Sequence, residues 1–192
     1  MNYWKIDKED VCNGEGLRVT LWLSGCSHKC RGCQNPQTWD ENSGILFDES
    51  SKEELFRELD KDYISGLTLS GGDPLFEENL DDVLDLVNEI RLSLPQKSIW
   101  LYTGYKVISV DSEYKRIIFD RSDEDLIQQF SFESVINHNK RMDIASMCNV
   151  LIDGQYIDSQ RDITLPYRGS KNQRLIDVQK SLQKGEIALW QI

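Results

Sequence analysis

The stretch Leu17–Trp39, LRVTLWLSGCSHKCRGCQNPQTW, decides how the chain folds. Its first part, Leu17 to Leu23, is an apolar, partly β-branched run that reads as a buried strand. Cys26, Cys30 and Cys33 follow at Cys-x3-Cys-x2-Cys spacing, three of the chain's five cysteines. The thiols therefore occupy a loop at a strand end. α/β proteins gather ligands there, because the strand fixes the loop's origin and the crevice leaves room. Three soft thiolates this close can share one metal centre.

Outward from this stretch, the chain alternates strands and helices. Ser51-x-x-Glu54 reads as a capping box opening a helix with Leu55, Phe56 and Leu59 on one face. Ser65–Ser70 is a short strand broken by Gly71-Gly72-Asp73-Pro74. Leu80, Val83, Leu84, Val87 and Ile90 recur at helical spacing, and this helix ends before Pro95. Ser98–Thr103 and Asn149–Ile152 are further strands, Arg174–Gln183 reads as helical, and Glu186–Trp190 as a last strand. The pattern predicts an α/β domain spanning 1–192 with parallel strands joined by crossovers, its strand-end loops on one edge. The region 106–143 fits least well, with an alternating stretch at Tyr114–Phe119 and a polar helical one at Ser122–Phe130. It reads as an inserted subdomain or lid.

A four-iron, four-sulfur cluster normally takes four cysteine thiolates. With three, one iron lacks a protein ligand, and an open position marks a catalytic rather than a structural metal site. Other readings of the same spacing stay open. His28 lies between the thiols and could complete a zinc site of three Cys and one His. Cys12 or Cys148 could supply a fourth thiolate to an electron-transfer cluster, and otherwise each reads as a small buried hydrophobe. The glycines of Gly71-Gly72-Asp73-Pro74 would let the backbone approach a ligand, and Asp73 can accept a hydrogen bond from an ammonium. A plain turn is the alternative. Asn13-Gly14-Glu15-Gly16-x-Arg18 precedes a strand instead of opening a helix, so it is no dinucleotide fingerprint. The stretch 166–174, PYRGSKNQR, is a local basic and amide-rich patch that suits a carboxylate, a phosphate or a partner's backbone. It also suits an exposed loop before a helix.

Composition bounds these readings. The net charge of −11, with no basic stripe, argues against nucleic-acid binding. No apolar run approaches the ~20 residues of a membrane span. The N-terminus lacks the apolar core of a signal peptide. Clustered cysteines without a disulfide framework fit a metal site in a reducing cytoplasm.

The residues also carry a resemblance. The cysteine loop is similar to the signature of the radical S-adenosylmethionine superfamily, and Gly71-Gly72-Asp73-Pro74 to its second motif. Five segments in order resemble, more narrowly, the activating proteins of class III (anaerobic) ribonucleoside-triphosphate reductases. They are NGEGLRVTLWLSGCSHKCRGCQNPQTW, LTLSGGDPL, LYTGY, NVLIDGQY and LPYRGSKNQRLIDVQ. The resemblance implies an open partial (βα) barrel. Cys26, Cys30 and Cys33 would ligate a [4Fe-4S] cluster whose open iron is chelated by S-adenosylmethionine. Gly32, Cys33 and Gln34 would line the adenosyl side, and Gly71, Gly72 and Asp73 the methionine amino side. Reductive cleavage would give a 5′-deoxyadenosyl radical that takes hydrogen from a glycine of the reductase's large catalytic subunit. A one-electron donor such as flavodoxin is implied as a second partner. Two departures stand out: Gln34 occupies a position often held by His, and the stretch between Tyr105 and Asn149 is longer than this family suggests.

Overall fold

The computed structural model describes residues 1–120 and 132–191. Seven strands form one open sheet in the order β3-β1-β2-β4-β5-β8-β9: β1 (Asn2–Asp10), β2 (Arg18–Leu23), β3 (Ile45–Leu46), β4 (Gly66–Gly71), β5 (Ser98–Tyr102), β8 (Val150–Asp153) and β9 (Arg174–Asp177). The central four, β2, β4, β5 and β8, are parallel, as the sequence predicts. The flanks are not, since β1 and β9 run antiparallel to their neighbours. Strand β9 and helix α4 (Val178–Lys184) occupy the stretch that sequence periodicity reads as one helix. Asp177 separates them by capping the Lys180 N–H. The Glu186–Trp190 stretch makes only a bridge between Leu189 and Ile176.

Helix α1 (Glu49–Leu59) is capped by Asp48, whose carboxylate accepts from the Ser51 N–H and hydroxyl. The cap thus lies before the Ser51 box read from sequence, and Leu55 and Leu59 still face inward. Helices α2 (Leu80–Ser93) and α3 (Phe132–Met147) bring Val83, Val87, Ile90, Ile144 and Ala145 into the same core. Between β5 and α3 lies a separate hairpin, β6 (Val107–Asp111) and β7 (Arg116–Phe119). It covers the alternating stretch, and its Val107, Ile117 and Phe119 join the main core. The polar segment Ser122–Phe130 lies outside the described residues.

Alternation along the parallel strands makes the sheet two-faced. Val19, Leu21, Leu67, Leu69, Ile99 and Leu101 pack with the helices. The other face carries Arg18, Thr20 and Trp22, then Thr68 and Ser70, then Trp100 and Tyr102, level with one another across the register. Arg18 is fully buried there. Its guanidinium donates to Thr68 Oγ1, Ser98 Oγ and the carbonyls of Glu15, Leu67 and Ser98, and it lies 5.3 Å from the Trp100 ring centre. Burial lowers its pKa to about 10. Replacing Arg18 by leucine strands several buried acceptors at once. It is expected to cost about 2–4 kcal/mol in urea unfolding, each orphaned group carrying roughly 1–3.

Candidate active site

Four parallel strands end on one edge, and their loops meet in one pocket. The loop after β2 brings Cys26, His28, Cys30, Cys33 and Gln34, and β4 brings Gly71, Gly72 and Asp73. Strand β5 delivers Tyr102, Thr103 and Gly104, and β8 delivers Gly154, Gln155 and Tyr156. Of the residues implied from sequence as site residues, all line this pocket except Gly32. It lies outside, where a Cβ would meet Asp158 Oδ1 at 2.7 Å.

The cysteine loop is held down before any ligand is considered. Gly25 N–H donates to Thr38 O at 2.8 Å and Cys26 N–H to Trp39 O at 3.0 Å. Asp73 N–H donates to Gly25 O at 2.7 Å, tying the second motif to the first. The paired glycines serve this same approach. Gly71 has φ +101°, and a Cβ on it would sit 2.6 Å from Leu23 O; one on Gly72 would sit 2.3 Å from Gly25 O. Their immediate neighbour is thus the cysteine loop's own backbone.

Asp73 is buried. Its Oδ1 accepts from Leu75 N–H at 2.9 Å, and its Oδ2 from Gly104 N–H at 2.8 Å and the Thr103 hydroxyl at 3.1 Å. The same Oδ2 lies 3.0 Å from His28 Nε2. Burial alone would raise its pKa, but the hydrogen bond and charge of His28 and the Gly104 and Leu75 amides outweigh that and hold it below its ordinary value. The other His28 nitrogen, Nδ1, is 3.1 Å from Gln155 Nε2, and the ring meets Tyr105 edge-on. Gly104 makes room, since a Cβ there would lie 2.3 Å from the imidazole. Both ring nitrogens therefore face other residues rather than the thiols, the reverse of what a three-Cys, one-His zinc site needs. Sequence reading missed this clasp: His28 was visible only as a possible ligand, and its partners lie far along the chain.

The remaining two cysteines lie elsewhere. Cys148 is buried just ahead of β8, at the opposite strand end, with its thiol against Ile144 O. Cys12 is exposed near the N-terminal end of β2, which corrects the expectation of a buried hydrophobe. Neither lines the pocket, so no fourth cysteine is at hand.

Three thiols remain as the donor set. Among the described residues no three Cys, His, Asp or Glu converge on a single ion. The thiols instead border a shared cavity. A polynuclear cluster, with one iron for each thiolate, asks for that wider spacing. Burial, with the Asp73 charge adding to it, pushes the Cys26 thiol up to about 12, and burial also raises Cys30. Loading iron must therefore release protons, because only thiolates ligate. One main-chain N–H already donates to a sulfur, that of Asn35 to Cys33 Sγ at 3.3 Å. The donor set and its cradle fit an iron–sulfur cluster.

Residues 12–176 match the sequence profile of a family described as "4Fe-4S single cluster domain". The chain is 38% identical over 175 residues to the anaerobic ribonucleoside-triphosphate reductase-activating protein of Enterobacteria phage T4, covering 91% of this chain and 93% of that one. It is 36% identical to the protein of that name from Haemophilus influenzae and 35% to that from Escherichia coli K12, each alignment covering 90% of this chain and 96% of the relative. The chain belongs to the anaerobic ribonucleoside-triphosphate reductase-activating protein family. The matched length takes in every strand that delivers a residue to the pocket. The polar face beneath it belongs to the same span, including the Tyr102 hydroxyl, which is buried with no partner among the described residues and whose pKa burial pushes up. No described helix is long and apolar enough to cross a membrane.

Proposed function

We propose that this chain is a radical S-adenosylmethionine activase for the large catalytic subunit of an anaerobic ribonucleoside-triphosphate reductase. The observation that carries the reading is three thiols and no fourth around a pocket that also holds the Gly71-Gly72-Asp73 loop. Bound and reduced by a one-electron donor such as flavodoxin, a [4Fe-4S] cluster would cleave S-adenosylmethionine to a 5′-deoxyadenosyl radical, which takes a hydrogen atom from one glycine of that subunit. Cys26, Cys30 and Cys33 would hold three irons and leave the fourth open. Gly71 and Gly72 would offer main-chain groups to the methionine amino end, with Asp73 framing their loop from below. Cys33 and Gln34 would border the adenosyl end, and Gly32, outside the pocket, would act through the turn that presents Cys33.

The open sheet, with its polar face under the pocket, supports a partial (βα) barrel, and the 106–143 region reads as an elaborated crossover within one domain. Trp22 and Tyr102 on that face would keep bulk water from a reactive carbon radical. Arg168 is the basic residue of the C-terminal patch left for the partner, since Lys171 pairs with Asp162 at 3.6 Å. Arg174 is engaged internally with Asp153 and donates to Val107 O at 2.7 Å.

The test mixes anaerobically reconstituted, reduced protein with S-adenosylmethionine and the cognate large subunit. A glycyl-radical resonance in the large subunit is the expected result. Intact cleavage of S-adenosylmethionine without that resonance would point to a different radical acceptor, and zinc without iron or sulfide would remove the enzyme reading.

A further inference from the structure

On the face of the sheet beneath the pocket, polar side chains pair within the chain. Trp22 Nε1 donates to Asp7 Oδ2 and the Thr20 hydroxyl to Asp10 Oδ2, each at 2.7 Å, and the Thr68 hydroxyl donates to Asn13 O at 2.8 Å. Tyr102 departs from this pattern. Its ring packs on the cluster of Trp100, Val150, Ile152 and Leu175, which fixes where the hydroxyl stands. That hydroxyl is buried with no partner among the described residues, on a side chain that lines the pocket.

A hydroxyl in this position costs the protein stability. Out of water and without a hydrogen bond, it forfeits an interaction that a ligand can restore. Burial raises its pKa, so it keeps its proton and can donate as well as accept. Trp39 Nε1 is also buried without a partner in this pocket, but Trp39 belongs to the cysteine loop. The residues set against S-adenosylmethionine above belong to that loop and to the Gly71-Gly72-Asp73 turn. Tyr102 belongs to neither. It is the last residue of β5, on the sheet's polar face.

In the activase reading, on which this inference rests, a second body must enter the pocket: the glycine-bearing segment of the large subunit. Glycine has no side chain, so its recognition falls to its peptide groups. A peptide carbonyl carried out of water needs a donor inside the site. We infer that the Tyr102 hydroxyl donates to the peptide carbonyl of the target glycine and so orients its Cα–H bond for hydrogen transfer. Tyr102 is then a substrate-binding residue whose hydrogen bond is completed only when the partner docks.

The experiment compares wild type with Tyr102→Phe, which removes the oxygen and keeps the ring. Three quantities are read: the Tm of the iron-free protein, the affinity of the reconstituted protein for S-adenosylmethionine, and the glycyl radical formed per 5′-deoxyadenosine released with the cognate large subunit. The Tm of Tyr102→Phe is expected to be no lower than that of wild type, because the lost oxygen has no internal partner. The radical yield per 5′-deoxyadenosine is expected to fall about tenfold, the weight of one buried hydrogen bond. A lower Tm would give the hydroxyl a structural role and overturn the inference. A loss of S-adenosylmethionine affinity beyond about threefold would assign it to that ligand and overturn the inference equally, as would an unchanged radical yield. Failure of the activase reading looks different: wild type itself would then form no glycyl radical, and the inference would fall with it.

Discussion

Alanine in place of Cys26, Cys30 or Cys33 is expected to leave a folded protein that neither holds a four-iron cluster nor cleaves S-adenosylmethionine. The expected loss in cleavage is well beyond the roughly 10–100-fold that removal of an outer-shell partner brings. The pocket leaves no substitute ligand. Neither Cys12 nor Cys148 lines the pocket, and His28 is turned to Asp73 and Gln155. With two thiolates left, two irons would lack protein ligands, and the cluster would lose its single defined open position. Folding should survive, because each of the three cysteines is only partly buried and the core lies on the other face of the sheet. Iron and sulfide content, the visible absorbance of the brown protein and product formation after reduction check the outcome together. Full cleavage activity in any one variant would remove that cysteine from the ligand set.

The sequence revealed the strands that matter most, because each is a short apolar run closed by a glycine or aspartate. Val19–Leu21, Leu67–Leu69, Ile99–Leu101 and Val150–Ile152 are all buried in the centre of the sheet. Parallel central strands are covered on both sides, so hydrophobic continuity marks them. The antiparallel flanks lack that mark. Strand β1 mixes Tyr3 and Ile6 with Lys5, Asp7, Lys8 and Glu9, since much of it faces solvent. Across β9 and the start of α4, Leu175, Ile176 and Val178 fall at spacings that suit a helix, and only the Asp177 cap reveals the break. The thiols and the Gly71-Gly72-Asp73 loop were legible as a set because both are strand-end loops. Their mutual attachment was not. A hydrogen bond from Asp73 N–H to Gly25 O, or the Gln155 amide meeting the His28 ring, depends on tertiary register that no local pattern encodes.

The attachment changes what Asp73 is expected to do. A side chain whose only task was to receive an ammonium would be dispensable for stability. Asp73 instead satisfies two main-chain amides, one hydroxyl and the His28 ring from a buried position. Asp73→Ala should therefore destabilise the iron-free protein by about 3–5 kcal/mol, the range for breaking a buried charged pair. At roughly 2–4 °C per kcal/mol for a domain of this size, that is a fall in Tm on the order of 10 °C. Affinity for S-adenosylmethionine should fall with it, because Gly71 and Gly72 lose the strut beneath their loop. The pH dependence has a definite sign. The folded pKa lies below the ordinary 3.8, so the carboxylate's contribution is complete above 3.8 and disappears as pH drops through the folded value. The carboxylate's own share of the gap in Tm between wild type and Asp73→Ala should thus be lost only below about 4. Calorimetry across that range, with binding measured on the reconstituted proteins, separates the two roles. A variant that loses affinity at unchanged Tm would make Asp73 a direct ligand of the amino group, and one that loses both would make it the frame on which the pocket is built.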